Sequence, residues 1–223
     1  MLLDLDMSTF KTQALILHKR VLKNADRLYI LYTPDHGKVE AKVRSAAKSS
    51  SKLAGHLEPF CISAVMIARG KELETIAGAY LQKSFSFKDL KTRALAGLAA
   101  EIVNKFIRPG LASGEIYRLL VLYFEALEKS EKFLLSQILG LRFIWQILIK
   151  LGYRINLENK DRQTLALSQE ARGVLQNCLV DQNDLTNHAC SSTVIKELAE
   201  FTRQYLVYHL EDDLKSFTLS FYA

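Results

Sequence analysis

The chain lacks what most enzymes and secreted proteins carry. It has three cysteines, Cys61, Cys178 and Cys190, and no two of them form a C-x-x-C. That argues against a disulfide framework and for a reducing, cytoplasmic setting. There is no phosphate-cradling Gly-x-x-x-x-Gly-Lys, no H-E-x-x-H and no run of carboxylates at metal spacing. No serine or cysteine is placed with a histidine and an acid as a credible triad. The expectation is a protein that is not an enzyme, with no catalytic residues and no cofactor. The first segment, M-L-L-D-L-D-M, carries acids where a secretory leader needs cations. The most apolar stretch, residues 133–151, is interrupted by Gln137, Arg142, Gln146 and Lys150. It therefore reads as a buried helix and not as a membrane span. Internal repeats are absent as well.

What the chain does have is apolar residues, 49% of the total, and a net charge of +6. The first is ample for a core. The second favours an anionic partner only mildly, so the distribution of charge matters more. Residues 26–52 read D-R-L-Y-I-L-Y-T-P-D-H-G-K-V-E-A-K-V-R-S-A-A-K-S-S-S-K. Two alternating runs flank Pro34-Asp35-His36-Gly37, which offers a fixed φ, side-chain turn bonds and a permissive glycine in that order. Lys38, Lys42 and Arg44 recur at even spacing, so in a strand they share one face, diluted by Glu40. Lys48 and Lys52 follow in a polar loop. A basic sheet face beside a basic loop suits a polyanion, and Lys11, Lys19, Arg20, Lys23 and Arg27 extend the candidate surface. The alternative for all ten cations is a solvated strand face. Tyr29 and Tyr32 have opposite parity and cannot share a face, so core packing suits either. His36 fits a turn better than a catalytic base, and His18 and His56 stand without ligand spacing. Asp26 and Arg27 offer a structural pair at a turn.

Five short strands are expected, over residues 11–21, 27–33, 38–44 and 57–68 and from 73 onward. Five strands joined by turns in so short a stretch suit a small closed barrel. The pattern changes near residue 85. Ser86-x-x-Asp89 resembles a capping box with Asp in place of Glu. Apolar residues then recur at helical spacing as far as Arg108-Pro109-Gly110. Further helices are expected over 115–127, 131–151 and 193–210, while 156–192 is polar and without a clear period. Trp145 sits within an apolar helix and is expected in the core. The expected class is α+β, with a barrel domain over 1–82 and a helical domain over 83–223.

Nine short segments then gain weight from their order. They are Ala25-Asp26-Arg27, Thr33-Pro34-Asp35-His36-Gly37-Lys38, Ser51-Lys52-Leu53, Leu57-Glu58-Pro59-Phe60, Arg69-Gly70, Leu141-Arg142-Phe143, Leu151-Gly152-Tyr153, Tyr208-His209 and Leu214-Lys215-Ser216. Their succession and spacing resemble the bacterial RecO family of recombination and repair mediators. The resemblance implies an N-terminal OB-fold and a C-terminal helical domain. It implies binding to single- and double-stranded DNA, annealing of complementary strands, and work with RecR and single-strand-binding protein (SSB) in loading RecA. It also implies a cytoplasmic, nucleoid-associated protein. On this reading the ten cations above form the DNA surface.

The resemblance departs at one place. Many family members carry a four-cysteine zinc site after the Gly-Tyr that closes the central helix. Here residues 156–192 hold only Cys178 and Cys190, with His188 two residues from Cys190. Tetrahedral zinc needs four ligands at short pairwise spacing, so no metal is expected. The resemblance further implies that the helical domain takes the SSB tail, which is acidic and ends in apolar residues. Arg142 interrupts Leu139, Leu141, Phe143, Ile144, Ile147 and Leu148 and is the candidate partner for the tail carboxylate, with Arg118 and Lys132 as helpers. An ordinary exposed helix position is the alternative for Arg142. A second functional reading stays open, in which the helical domain is an interaction scaffold and the barrel an adaptor.

Overall fold

The structure is a computed structural model and describes residues 9–49, 51–153, 155, 167–180, 190–210 and 214–222. Five strands come first: β1 (Thr9–Val21), β2 (Arg27–Thr33), β3 (Gly37–Val43), β4 (Cys61–Ala68) and β5 (Glu74–Ser84). They close into a barrel in the order β1-β2-β3-β5-β4. Every pair is antiparallel except β3 with β5. This is the small closed barrel that the strand pattern points to, with the five strands of the OB-fold that the family resemblance implies.

Alternation explains the closure. Ala14 and Ile16 of β1, Tyr29 and Leu31 of β2, and Val39, Ala41 and Val43 of β3 belong to one buried cluster with Val65, Ile67 and Ile76. They occupy every second position, so one face of each strand fills the barrel. β4 begins at Cys61, later than the expected residue 57, because Ala54–His56 form a 3-10 turn and Phe60 takes a positive φ of 66°. β5 continues to Ser84, well past the part that the sequence marks clearly.

Six helices follow among the described residues: α1 (Leu90–Phe106), α2 (Gly114–Lys129), α3 (Phe133–Lys150), α4 (Gln169–Leu179), α5 (Ser192–Leu210) and α6 (Lys215–Phe221). The chain divides into two compact units. The first is Met1–Phe85 with Ile107–Arg118, and the second is Ser86–Phe106 with Leu119–Ala223. The first unit thus recruits a segment from beyond α1. Pro109 bridges to Gly37 and Lys38, and the Gly110 N–H donates to the Lys38 carbonyl at 3.2 Å. The Tyr32 hydroxyl donates to the Leu111 carbonyl at 3.2 Å. Gly37 makes this approach possible. It has φ +65°, and a Cβ there would lie 2.1 Å from the Leu111 carbonyl oxygen.

In the second unit α3 supplies much of the core. Gln137 and Gln146 break its apolar run in the sequence, and both are satisfied internally. Gln137 Nε2 donates to the Ser220 carbonyl at 3.2 Å and Gln146 Nε2 to the Cys178 carbonyl at 2.8 Å. Trp145 is buried, and its Nε1–H donates to Thr202 Oγ1 at 3.1 Å. By length and composition α3 could cross a membrane, yet 61% of it is buried within the protein. Gly140 lets neighbours close on this helix, since a Cβ would lie 2.8 Å from Leu95 Cδ2.

Two local expectations change. Asp89 is the residue just before α1 and not its third residue. Its Oδ1 accepts the Thr92 N–H at 2.7 Å, which holds the carboxyl below the ordinary Asp range. The Ser86 N–H donates elsewhere, to Glu128 at 2.8 Å. The stretch read as aperiodic contains α4, capped by Ser168, whose Oγ accepts the Ala171 N–H at 3.2 Å. Ala171, Val174, Leu175 and Cys178 are its buried side. Burial pushes the Cys178 thiol up to about 12, so at neutral pH it packs as an uncharged group. Residues 156–166 and 181–189, His188 among them, lie outside the described residues. Among the described residues no three His, Cys, Asp or Glu side chains gather at a metal-binding distance.

Candidate nucleic-acid interface

The ten cations do not form one sheet face. The register sorts them by position along the barrel. Arg20 faces Leu28 across β1–β2, and Leu28 faces Lys42 across β2–β3, so Arg20, Leu28 and Lys42 lie in one row. Arg27 sits one step along, opposite Val21 and Val43. Lys23 lies in the turn between β1 and β2, and Arg44 directly follows β3. Two bonds tie these pieces together. Asp26 Oδ1 accepts the Ser45 N–H at 2.7 Å, and the Ala47 N–H donates to the Ala25 carbonyl at 2.9 Å. Asp26 therefore pins the loop after β3 to the turn before β2. Arg20, Lys23, Arg27, Lys42, Arg44 and Lys48 are thereby gathered at one end of the barrel. Arg20, Lys23, Arg44 and Lys48 are exposed there, while Arg27 and Lys42 are half-buried. The backbone at this end is tightly wound, with positive φ at Asn24, Ala25 and Ser45.

The remaining four cations sit differently. Lys38 corrects the expectation of an open basic strand. It shares parity with Lys42 but is only 6% exposed, because Pro109 and Gly110 lie along β3 at this point. Desolvation lowers its pKa, the reverse of what a phosphate-binding lysine at the surface would show. Lys19 is half-buried and bonded to Glu58. Lys11 is exposed, but it faces Met66 at the far end of β1. Lys52 is exposed farther along the loop that leads to β4.

A cleft of about 550 Å³ opens beside Lys38, lined by Phe10, His36, Arg69 and Pro109 among others. Asp35, Glu40, Glu72 and Glu74 border it against only two cations, Lys38 and Arg69. That balance repels phosphate. His36 packs its ring against Phe10 with centroids 4.0 Å apart, and its backbone N–H donates to Thr33 Oγ1 at 3.0 Å. It serves the turn. Tyr29 is core, and Tyr32 is fully buried with its hydroxyl pushed up to about 12 by desolvation. Neither can stack on a base.

An aromatic group on the barrel that the sequence does not single out is open. Tyr80 of β5 is 69% exposed. Its ring lies near-parallel to that of His56, at 26° with centroids 6.1 Å apart. The alternation of Tyr80, Leu81 and Gln82 is its signal in the sequence, and the weak strand preference of Gly78 and Ala79 hides it.

The three cations proposed for a protein partner are dispersed. Arg118 is exposed and belongs to the first compact unit. Lys132 is exposed at the residue that precedes α3, and Arg142 is half-buried ten residues later, about 15 Å up the helix. Arg142 is near enough to Cys178 for its charge to act on that thiol.

The comparisons with known proteins bear on both units. A family model described as "Recombination protein O N terminal" matches residues 7–85. A second, "Recombination protein O C terminal", matches residues 88–162. A protein of Dehalococcoides mccartyi (strain 195) named "DNA repair protein RecO" is 32% identical over 198 residues, covering 85% of this chain and 76% of that protein. One of the same name from Geobacter metallireducens is 30% identical over 161 residues, covering 69% of this chain and 62% of that protein. One from Pelotomaculum thermopropionicum is 24% identical over 250 residues, covering 95% and 93%. In Dehalococcoides mccartyi (strain CBDB1) the match covers 49% of the relative.

Proposed function

The chain belongs to the RecO family, and from that premise we propose that it is a DNA repair and recombination mediator and not an enzyme. It binds single- and double-stranded DNA, anneals complementary strands, and with RecR helps load RecA onto SSB-coated DNA. The observation that carries the DNA-binding part is the gathering of Arg20, Lys23, Arg27, Lys42, Arg44 and Lys48 at one end of the barrel. Guanidinium and ammonium groups there neutralise phosphates and release counterions, which supplies affinity without sequence preference. Annealing needs no bond-breaking group. It needs neutralised charge and contacts that exchange, so that two strands can slide into register. Lys38 and Lys11 are left out of this interface, and Lys19 and Lys52 stand at its margins. The SSB tail, acidic and apolar-ended, meets the helical unit at Arg142 and Lys132.

Binding to oligonucleotides followed against salt tests the interface. With about four to six phosphates neutralised on a single strand, log affinity falls with log salt at a slope of about −3 to −4. A flat response removes the electrostatic reading. Annealing of SSB-coated complementary oligonucleotides, with intact and tail-less SSB, tests the mediator role. Equal annealing with both forms of SSB removes the tail contact.

The scaffold reading has one observation in its favour. Leu90, Leu122, Tyr208 and Leu219 are large apolar residues left exposed on the helices. If the scaffold reading is right, reversing the charges of the barrel end leaves repair activity in cells intact.

A further inference from the structure

The outward positions of β1, β4 and β5 form a face unlike that of β2–β3. Lys11 faces Met66 and Gln13 faces Ala64 across β1–β4, while Met66 faces Gly78 and Ala64 faces Tyr80 across β4–β5. Gln13 Nε2 donates to Gln82 Oε1 at 3.0 Å across the top of this face. These rows hold uncharged polar groups, small residues, Met66 and one cation, with no carboxylate among them. Tyr80 stands in the middle, 69% exposed. Gly78, two residues earlier on the same side, adds no side chain, so the ring has open floor beside it.

His56 stands close by in a fixed pose. Its Nδ1 accepts the Leu81 N–H at 3.3 Å, and its carbonyl accepts the Ser63 hydroxyl. The first bond sets the ring orientation and leaves Nε2 to carry the proton in the neutral form. The near-parallel rings, with centroids 6.1 Å apart, are more widely separated than a face-to-face stack. The Tyr80 face is therefore not used up by its neighbour. The loop carrying Lys48 and Lys52 starts in the basic end and finishes at His56. Along β1, the seven residues from the Gln13 row to Arg20 span about 23 Å, a length of several nucleotides within the range that OB folds cover.

We infer that Tyr80, flanked by His56, is a base-stacking platform for single-stranded nucleic acid whose backbone is held at the basic end and by Lys48 and Lys52. The inference rests on the DNA-binding reading above and adds a discrimination to it. Phosphate contacts hold single strands and duplexes alike, whereas a ring can stack only on bases that are not already paired and stacked in a duplex.

The test uses the full chain and two probes, an oligothymidylate and a duplex of mixed sequence, with affinity read by fluorescence anisotropy. Tyr80→Ala weakens oligothymidylate binding about tenfold and duplex binding by less than about twofold, while Tyr80→Phe binds both as the unaltered protein does. The exposed ring makes folding of these variants insensitive to the change, which circular dichroism verifies. As a second readout, an oligonucleotide carrying 5-iodouracil crosslinks under light to Tyr80 or His56. If Tyr80→Ala binds oligothymidylate normally, or loses both probes equally, the platform is wrong while the DNA-binding reading stands. Crosslinks confined to other residues also overturn it. If the unaltered protein binds neither probe, the platform and the DNA-binding reading fall together.

Discussion

The barrel has two outer faces, and they are built from similar strands to opposite ends. On β2–β3 the outward residues Leu28, Ile30, Tyr32 and Lys38 are buried and Glu40 and Lys42 half-buried, with the 107–118 segment lying over Tyr32 and Lys38. On β1–β4–β5 the outward residues Lys11, Gln13 and Tyr80 are open, while Leu15 and Ile62 farther along are buried. Strand parity assigns residues to faces with the same certainty in both places. It says nothing of which face another piece of chain will cover. The difference between a lysine that meets solvent and one that loses it is made by Pro109 and Gly110, some seventy residues away in sequence.

The strongest way to break the covered face is at Gly37. Gly37→Ala puts a methyl group against the Leu111 carbonyl in a left-handed backbone conformation. It destabilises the protein by about 3 kcal/mol in denaturant unfolding. Gly78→Ala on the open face meets only Met66 Cβ at 3.8 Å. It changes stability by less than about 1 kcal/mol, and equal losses at the two glycines would erase the contrast.

Charge reversal is next in size. Arg20→Glu, Lys42→Glu and Arg44→Glu together reduce affinity for any DNA sequence by roughly tenfold to a hundredfold at low salt. Lys38→Gln, at the covered position, changes affinity by less than about twofold on the same reasoning. Should Lys38→Gln weaken binding as much as the triple reversal, the buried lysine would have to be part of the interface.

Tyr32 and Tyr80 give a smaller contrast. Tyr32→Phe removes the bond to Leu111 and costs about 1 kcal/mol, while Tyr80→Phe is neutral in stability. The alkaline limb follows from the same burial. Tyr32 has a folded pKa raised to about 12 from an ordinary 10.0. Between those values the unfolded chain has lost the proton that the folded protein keeps, so stability declines as pH rises through this window. Tyr32→Phe flattens that decline, as chemical denaturation at a series of pH values would reveal. The smallest effect is at the acid end. Glu200 accepts bonds from Tyr222, Arg203 and Gln204, which hold its pKa at about 2. Its contribution is present above the unfolded carboxylate value and is lost as pH falls towards 2. Tyr222→Phe trims it by about 0.5 kcal/mol, and an unchanged acid transition would show that the bond is inert.

Much of the barrel was legible because alternation and turns are local signals. Pro34-Asp35-His36-Gly37 fixed the β2–β3 hairpin, and the interior set of Ala14, Tyr29, Val39 and Val65 follows from parity alone. The family resemblance was legible too, because short segments in order carry more than any one of them. Two kinds of information were not. β5 beyond Ala77 reads weakly, since Gly78 and Ala79 have little strand preference and the strand is held by its neighbours, and Tyr80 was lost with it. α4 had its spacing of Ala171, Val174, Leu175 and Cys178 in plain sight, masked by polar residues on both flanks. The candidate DNA site was half legible. Cations were found by counting, but their grouping depends on Asp26 bonding Ser45, a contact between residues 19 apart.

The recruited segment also bears on when the barrel can exist. Tyr32 and Leu111 are 79 residues apart. At a synthesis rate of roughly 5–20 residues per second, the hairpin waits about 4–16 seconds for the piece that seals it. During that interval Tyr32 and its apolar neighbours on β2 face solvent in a nascent chain. A fragment ending near residue 85 would be held in that unsealed condition permanently.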